Sequence, residues 1–228
     1  MGRDEFPAAA VSPLPVQVKI CGLTRPEEAA ACAAAGATAV GCVFYPRSPR
    51  RVSPAQAAAV RRALPAGVRL VGVFVDEPVE GILRAASAAG LDAVQLHGNE
   101  PPGDAARLRA EGLFVVKALF AAREPSFARA AGYPVSAFLL ECGRGPQPGG
   151  NARTWHWGAA RALAERFPVI LAGGITPENA AFALSAARPD ALDVSSGVER
   201  RPGEKDIARV MRLIAAAGCG RARRRIFP

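Results

Sequence analysis

Aromatic residues are scarce in this chain, at 6% of 228 residues, although 50% of the residues are hydrophobic. A core must therefore be filled by Ala, Val, Leu and Ile, the residues of helices and buried parallel strands rather than of a sandwich. Histidine is scarcer still, with only His97 and His156. The five cysteines, at 21, 32, 42, 142 and 219, are odd in number and include no Cys-x-x-Cys pair. Neither a disulfide framework nor a metal site is expected. No apolar run reaches the length of a membrane span. The opening stretch, MGRDEFPAAAVSPLP, carries acids and prolines unlike a secretory leader, so a cytoplasmic location away from any membrane is expected. Acidic residues are outnumbered 29 to 20 by Lys and Arg, for a net charge of +9. The arginines are spread along helix-like segments without interleaved aromatics, which argues for solvated faces and attraction of anionic substrates, and against nucleic acid.

What the chain does have is one repeated unit. Short apolar runs recur at residues 16–22, 39–44, 69–76, 93–98, 114–119, 137–142, 169–174 and 191–198. Each reads as a buried parallel strand, and Ala/Leu/Arg-rich segments of helical length separate them. Thr24 with Glu27 and Ser53 with Gln56 read as capping boxes, and Pro177 after Thr176 reads as a first helical position. Eight strands alternating with helices, with no glycine-rich dinucleotide turn after the first, predict an α/β fold: a single (βα)8 TIM barrel of eight parallel strands. The expected boundaries are a flexible extension over 1–15, the barrel over 16–217 and a basic tail over 218–228.

Barrel geometry puts strand ends on the face that carries chemistry. The polar residues there are Lys19, Cys21, Arg47, Arg50, Asp76, Gln95, His97, Lys117, Glu141, Asp193, Ser195 and Ser196. Two glycine loops, LAGGITPEN with Gly173 and Gly174 and DVSSGVE with Gly197, follow strands seven and eight. Small residues there let backbone N–H groups approach a phosphate, so a phosphorylated small molecule is the expected ligand. The plainer alternative is a tight strand-to-helix turn at Gly173 and Gly174. Cys21 stands between two readings, an inert small hydrophobe or a thiol at the mouth serving as a base. Arg50 reads equally as a solvated loop cation or as a clamp for an anionic group. Glu141, the one acid in AFLLEC, reads as an active-site carboxylate, because four apolar neighbours would not bury it without a partner. His97 reads as a hydrogen-bonded strand-end residue with the uncharged companions Gln95 and Asn99.

In this order, KICGLT, FYPRSPRR, VGVFVDE, QLHGNE, VVKAL, LAGGITPEN and DVSSGVE resemble the phosphoribosylanthranilate isomerase family over residues 16–217. The resemblance implies an aldose-ketose isomerase of tryptophan biosynthesis that needs no metal or organic cofactor, as a monomer or homodimer. It implies Cys21 as general base and Glu141 as general acid. It further implies Arg50 on the substrate carboxylate, Asp193 near the linking nitrogen, and Gly173, Gly174, Ser195, Ser196 and Gly197 around the phosphate. The departures cluster: Glu141 stands where the family usually has Asp, Gly149-Gly150-Asn151-Ala152 replaces Gly-Gly-Thr-Gly, Trp155-His156-Trp157 replaces Phe-Asp-Trp, and Arg51 occupies a commonly aromatic position. Two alternatives follow from them, a diverged relative acting on another phosphorylated sugar amine and a non-catalytic binder of phosphorylated ligands.

Overall fold

The computed structural model describes residues 14–144 and 153–227. Eight strands close into an all-parallel barrel in sequence order: β1 Gln17–Cys21, β2 Ala39–Val43, β3 Arg69–Phe74, β4 Ala93–Leu96, β5 Phe114–Phe120, β6 Ala137–Glu141, β7 Val169–Leu171 and β8 Ala191–Val194. All eight apolar runs are therefore strands. The first glycine loop lies beyond the end of β7 because Gly173 and Gly174 take positive φ (91° and 70°), which a strand does not allow, and the second follows β8 as a 3-10 turn over Ser196–Val198.

The outer layer holds α1 Pro26–Ala34, α2 Pro54–Ala63, α3 Val79–Ala89, α4 Pro102–Ala110, α5 Arg161–Arg166, α6 Ala180–Ala187 and α7 Ile207–Ala217. Between β5 and β6 the expected helix is replaced by a 3-10 segment, Phe127–Gly132. Prolines at 125 and 134 flank it, and Pro134 bars a helical continuation toward β6. The Ser53–Gln56 capping box forms in both directions. The other two caps are corrected. Arg25 rather than Thr24 precedes α1, with Thr24 Oγ1 donating instead to the Gly203 carbonyl (3.0 Å), and α6 begins at Ala180 after a turn through Pro177. In α7, Asp206 caps by accepting from the Arg209 N–H (3.1 Å), and Val210, Leu213 and Ala217 recur at helical spacing on the buried face.

The apolar interior divides in two. A large cluster lies between strands and helices, and a smaller one, including Ala39, Val71, Val116, Leu139 and Ile170, fills the barrel itself. Ile226 and Phe227 belong to that inner cluster and are each only 2% exposed, so the chain's end closes the barrel floor. It is fastened there by Gln17, whose amide oxygen accepts from the N–H groups of Ile226 (2.7 Å) and Phe227 (2.9 Å) and whose nitrogen donates to the Phe227 carbonyl (2.7 Å). Leu14–Pro15 pair antiparallel with Arg221–Ala222 beside it.

Candidate active site

A strand presents alternate residues to one face, so Gln17, Lys19 and Cys21 of β1 form a ladder from floor to mouth. Register supplies the neighbours. Lys19 is paired with Asp193 of β8, and Lys19 Nζ donates to Asp193 Oδ1 at 2.8 Å. Cys21 is paired with Gly41 of β2, where a Cβ would stand 2.8 Å from the Cys21 sulfur and 3.1 Å from Lys19 Nζ. Glycine at 41 thus makes the room that the thiol and ammonium share. Burial raises the Cys21 pKa above its ordinary value; Lys19 opposes this and Asp193 adds to it. Burial also works to lower the Lys19 pKa, but Asp193 and Cys21 outweigh it and hold the ammonium charged. Losing either member of the buried Lys19–Asp193 pair would leave an uncompensated charge, worth about 3–5 kcal/mol where desolvation is complete.

Across the mouth, Gln95 and His97 extend from β4 and Glu141 ends β6. Gln95 Nε2 lies 2.8 Å from His97 Nδ1, and His97 Nε2 lies 2.8 Å from Glu141 Oε2. An amide nitrogen donating to Nδ1 assigns the imidazole proton to Nε2, from which it is donated to Glu141. His97 is the hydrogen-bonded strand-end residue expected, with Gln95 as one companion; the other partner is Glu141, which reaches it across a gap of 44 residues. Gln95 Oε1 is buried with no hydrogen-bond partner among the described residues.

Arg50 closes a third side. Its Nε and one terminal nitrogen donate to both oxygens of Glu199 at 2.8 and 2.6 Å, a bidentate pair. Gly22, with φ 81°, lies against its stem, where a Cβ would clash with the Arg50 Cδ and crowd the Ser195 hydroxyl. Lys205 Nζ reaches the same Glu199 carboxylate at 2.6 Å and lies 3.4 Å from the carbonyl and the hydroxyl oxygen of Ser195. Burial pushes the Glu199 pKa up, yet Arg50 and Lys205 together bring it below the usual carboxylate value.

The glycine loops interlock. A Cβ on Gly174 would meet the backbone nitrogen of Thr154 at 2.5 Å, and one on Gly197 would overlap the Ile175 carbonyl. The two tryptophans of the altered segment serve this packing: Trp155 Nε1 donates to the Ala172 carbonyl (2.9 Å) and Trp157 Nε1 to that of Gly173 (3.1 Å). Residues 149–152 lie outside the described residues.

All ten candidate residues border one cavity of about 770 Å³, measured out to its open mouth. Cys21, Glu141, His97 and Arg50 surround it, and Asp193, Ser195, Ser196 and Gly197 with Gly173 and Gly174 line the side toward β7 and β8. Arg47 is exposed, and Lys117 is buried elsewhere against Glu100 (2.7 Å). Asp76 accepts from the Asn99 N–H. Glu199 and Lys205 were not singled out from the sequence. The available signal was only that Glu199 ends the second glycine-loop motif, DVSSGVE. Cys32 and Cys42 are buried thiols pushed up to about 11 and about 12 by desolvation, as inert core groups are.

A parallel (βα)8 barrel whose polar side chains converge with two glycine loops at the strand C-termini defines a barrel enzyme. Residues 18–216 match the family model of N-(5'-phosphoribosyl)anthranilate isomerase. The isomerase of Desulfatibacillum aliphaticivorans is 50% identical over 202 residues, covering 89% of this chain and 93% of its own. Crystal structures of the isomerases from Thermotoga maritima and Thermus thermophilus are each 42% identical with TM-score 0.80, covering 89% and 88% of this chain and 98% and 97% of theirs. A further isomerase structure, 41% identical with TM-score 0.77 over 89% of this chain and 98% of its own, is a complex with reduced 1-(o-carboxyphenylamino)-1-deoxyribulose 5-phosphate. The chain belongs to the N-(5'-phosphoribosyl)anthranilate isomerase family.

Proposed function

We propose that this protein catalyses the Amadori rearrangement of N-(5'-phosphoribosyl)anthranilate to 1-(2-carboxyphenylamino)-1-deoxyribulose 5-phosphate, in tryptophan biosynthesis and in the cytoplasm. The observation that carries the reading is the placement of the Cys21 thiol and the Glu141 carboxylate on the wall of a single cavity, each with a fixed polar partner. Glu141 is the general acid. It gives a proton to the furanose ring oxygen, and the ring opens to an iminium. The N–H of His97 then stabilises the carboxylate that forms, a hydrogen bond that strengthens as charge develops. Cys21 is the general base. It removes the proton from sugar C2, which the iminium has acidified, and the electron pair left behind neutralises the iminium to give the enolamine. Lys19 stabilises the thiolate form that this step needs, against the opposing effect of burial.

Arg50 holds the anthranilate carboxylate, Asp193 lies near the linking nitrogen, and Gly173, Gly174, Ser195, Ser196 and Gly197 take the phosphate. Glu141 in place of a shorter acid moves the carboxyl by one methylene. The hydrogen bond to His97 gives that longer side chain a defined position. The protein works as a monomer or a homodimer, and a dimer built through the floor would pack against the segment that carries Ile226 and Phe227. A structure of monomers made from the dimeric Thermotoga maritima isomerase shares the fold at TM-score 0.78.

The test is turnover of N-(5'-phosphoribosyl)anthranilate generated in situ, followed by loss of its fluorescence. Wild type should turn over, Cys21→Ala should lose roughly a thousandfold or more, and Glu141→Gln on the order of a hundredfold. A folded wild type without turnover, or an undiminished Cys21→Ala, sinks the assignment.

A further inference from the structure

Glu199 does not border the cavity, yet it organises two of its sides. Its side chain is 4% exposed and carries three charge-assisted contacts: Arg50 Nε at 2.8 Å, an Arg50 terminal nitrogen at 2.6 Å, and Lys205 Nζ at 2.6 Å. A guanidinium has two edges able to hold a carboxylate, one between Nε and a terminal nitrogen and one between the two terminal nitrogens. Glu199 occupies the first. The second is left for another carboxylate, and Arg50 lines the cavity.

The carboxylate itself is held by the local fold. It sits at the start of the hairpin pairing Glu199–Arg201 with Glu204–Lys205, and its Oε1 also accepts from the Gly203 N–H at 3.2 Å. Thr24 Oγ1 donates to the carbonyl of that same Gly203, which ties the hairpin to the loop after β1. Lys205 is fully buried and lies within 3.4 Å of the Ser195 carbonyl and hydroxyl, so the second glycine loop and Arg50 are referenced to one acid.

We infer that Glu199 is a positioning residue that presents the terminal edge of Arg50 to the substrate's aryl carboxylate, while Lys205 keeps that edge at a fixed distance from the phosphate loop. The substrate is gripped at both ends, and one buried carboxylate sets the span between the grips. The inference rests on the reading of Arg50 as the group that binds the aryl carboxylate.

The test compares two ligands by calorimetry: reduced 1-(o-carboxyphenylamino)-1-deoxyribulose 5-phosphate and the same molecule with phenyl in place of carboxyphenyl. Glu199→Gln should weaken the carboxylated ligand about tenfold more than the phenyl ligand, the scale of one misaligned charge-assisted pair, any loosening of the phosphate loop through Lys205 being common to both. In turnover the loss should fall on KM, with kcat within about threefold. Glu199→Asp keeps the charge opposite Lys205 but withdraws it by one methylene; it should show a smaller loss with the same ligand selectivity, and it carries the test if Glu199→Gln does not fold. Equal weakening of both ligands would make Glu199 a merely structural residue and overturn the inference, as would no weakening of either. Arg50→Ala separates the premise. If it binds the carboxylated ligand as well as wild type does, the reading of Arg50 falls and takes the inference with it, whatever Glu199→Gln does.

Discussion

The mouth and the floor of the barrel are built from the same strands, and β1 shows the contrast on a single face. At the floor, the side-chain amide of Gln17 makes its hydrogen bonds to the backbone of Ile226 and Phe227. At the mouth, two and four residues further along, Lys19 and Cys21 face side chains: Asp193, and each other. Asp190 repeats the floor pattern, accepting from the N–H groups of Arg223 (3.1 Å) and Arg224 (2.9 Å), while Arg224 donates to the carbonyls of Ala164 and Phe167. Floor polarity goes mainly to backbone that does not change state, beside one ion pair between Arg224 and Asp190 at 3.4 Å. Mouth polarity is held in pairs whose charge depends on a proton, around a cavity. Burial is similar at both ends; the partners separate a fastening from a reactive site.

The largest break in this comparison comes from removing a charge at the mouth. Lys19→Met should lower neutral-pH turnover by roughly ten- to a hundredfold, because the ammonium that favours the Cys21 thiolate is gone. The sign is fixed: burial already raises the thiol's pKa, and loss of Lys19 raises it further, so less base is ionised at a given pH. The limb of kcat/KM that rises with pH should move toward alkaline pH, and raising the pH should recover part of the loss. A flat profile, or a shift toward acid, would show that Cys21 is not the titrating base.

The reverse experiment belongs to the floor. Phe227→Ala deletes a ring that is 2% exposed and packs 6.5 Å from the Phe114 ring, while the Gln17 bonds run to backbone and survive. A buried Phe→Ala change costs about 3 kcal/mol at the lower end of its range, the end suited to a terminal segment that can adjust. For a domain of this size that is a fall in Tm of roughly 10 °C. Turnover below the transition should stay within about twofold. If kcat falls with Tm, the floor is coupled to the mouth and the division drawn above is wrong.

What the sequence discloses follows the same division. All eight strands are legible, because each is a short apolar run of strand length that alternates with an Ala/Leu/Arg-rich segment of helical length. The cavity residues are legible too, because a lone acid such as Glu141 interrupts such a run. Pairings are not: nothing in the spacing joins His97 to Glu141 across 44 residues, or Arg50 to Glu199 across 149. These depend on barrel closure, which composition does not encode. The floor was harder to read. RARRRIFP looks like a basic tail, and only the depth of Ile226 and Phe227 in the inner cluster makes it a closing element. The helix expected between β5 and β6 is a 3-10 segment instead, and Pro134, two residues after its end, bars its extension toward β6.

The smallest effect tests whether location or partner matters. Ser53 caps α2 on the mouth side of the barrel, accepting from the Gln56 N–H at 3.2 Å while Gln56 Oε1 accepts from the Ser53 N–H at 2.8 Å. It is exposed and does not border the cavity. If the mouth were functional as a face, Ser53→Ala would disturb turnover. If function resides in the paired groups around the cavity, the substitution should cost about 1 kcal/mol of stability, as lost caps do, with kcat and KM unchanged. Thermal unfolding and steady-state kinetics on the same preparation decide it. A kinetic defect larger than the stability loss would mean that α2 transmits its N-terminal geometry to Arg50, three residues before the cap, and the site would then extend into the outer layer.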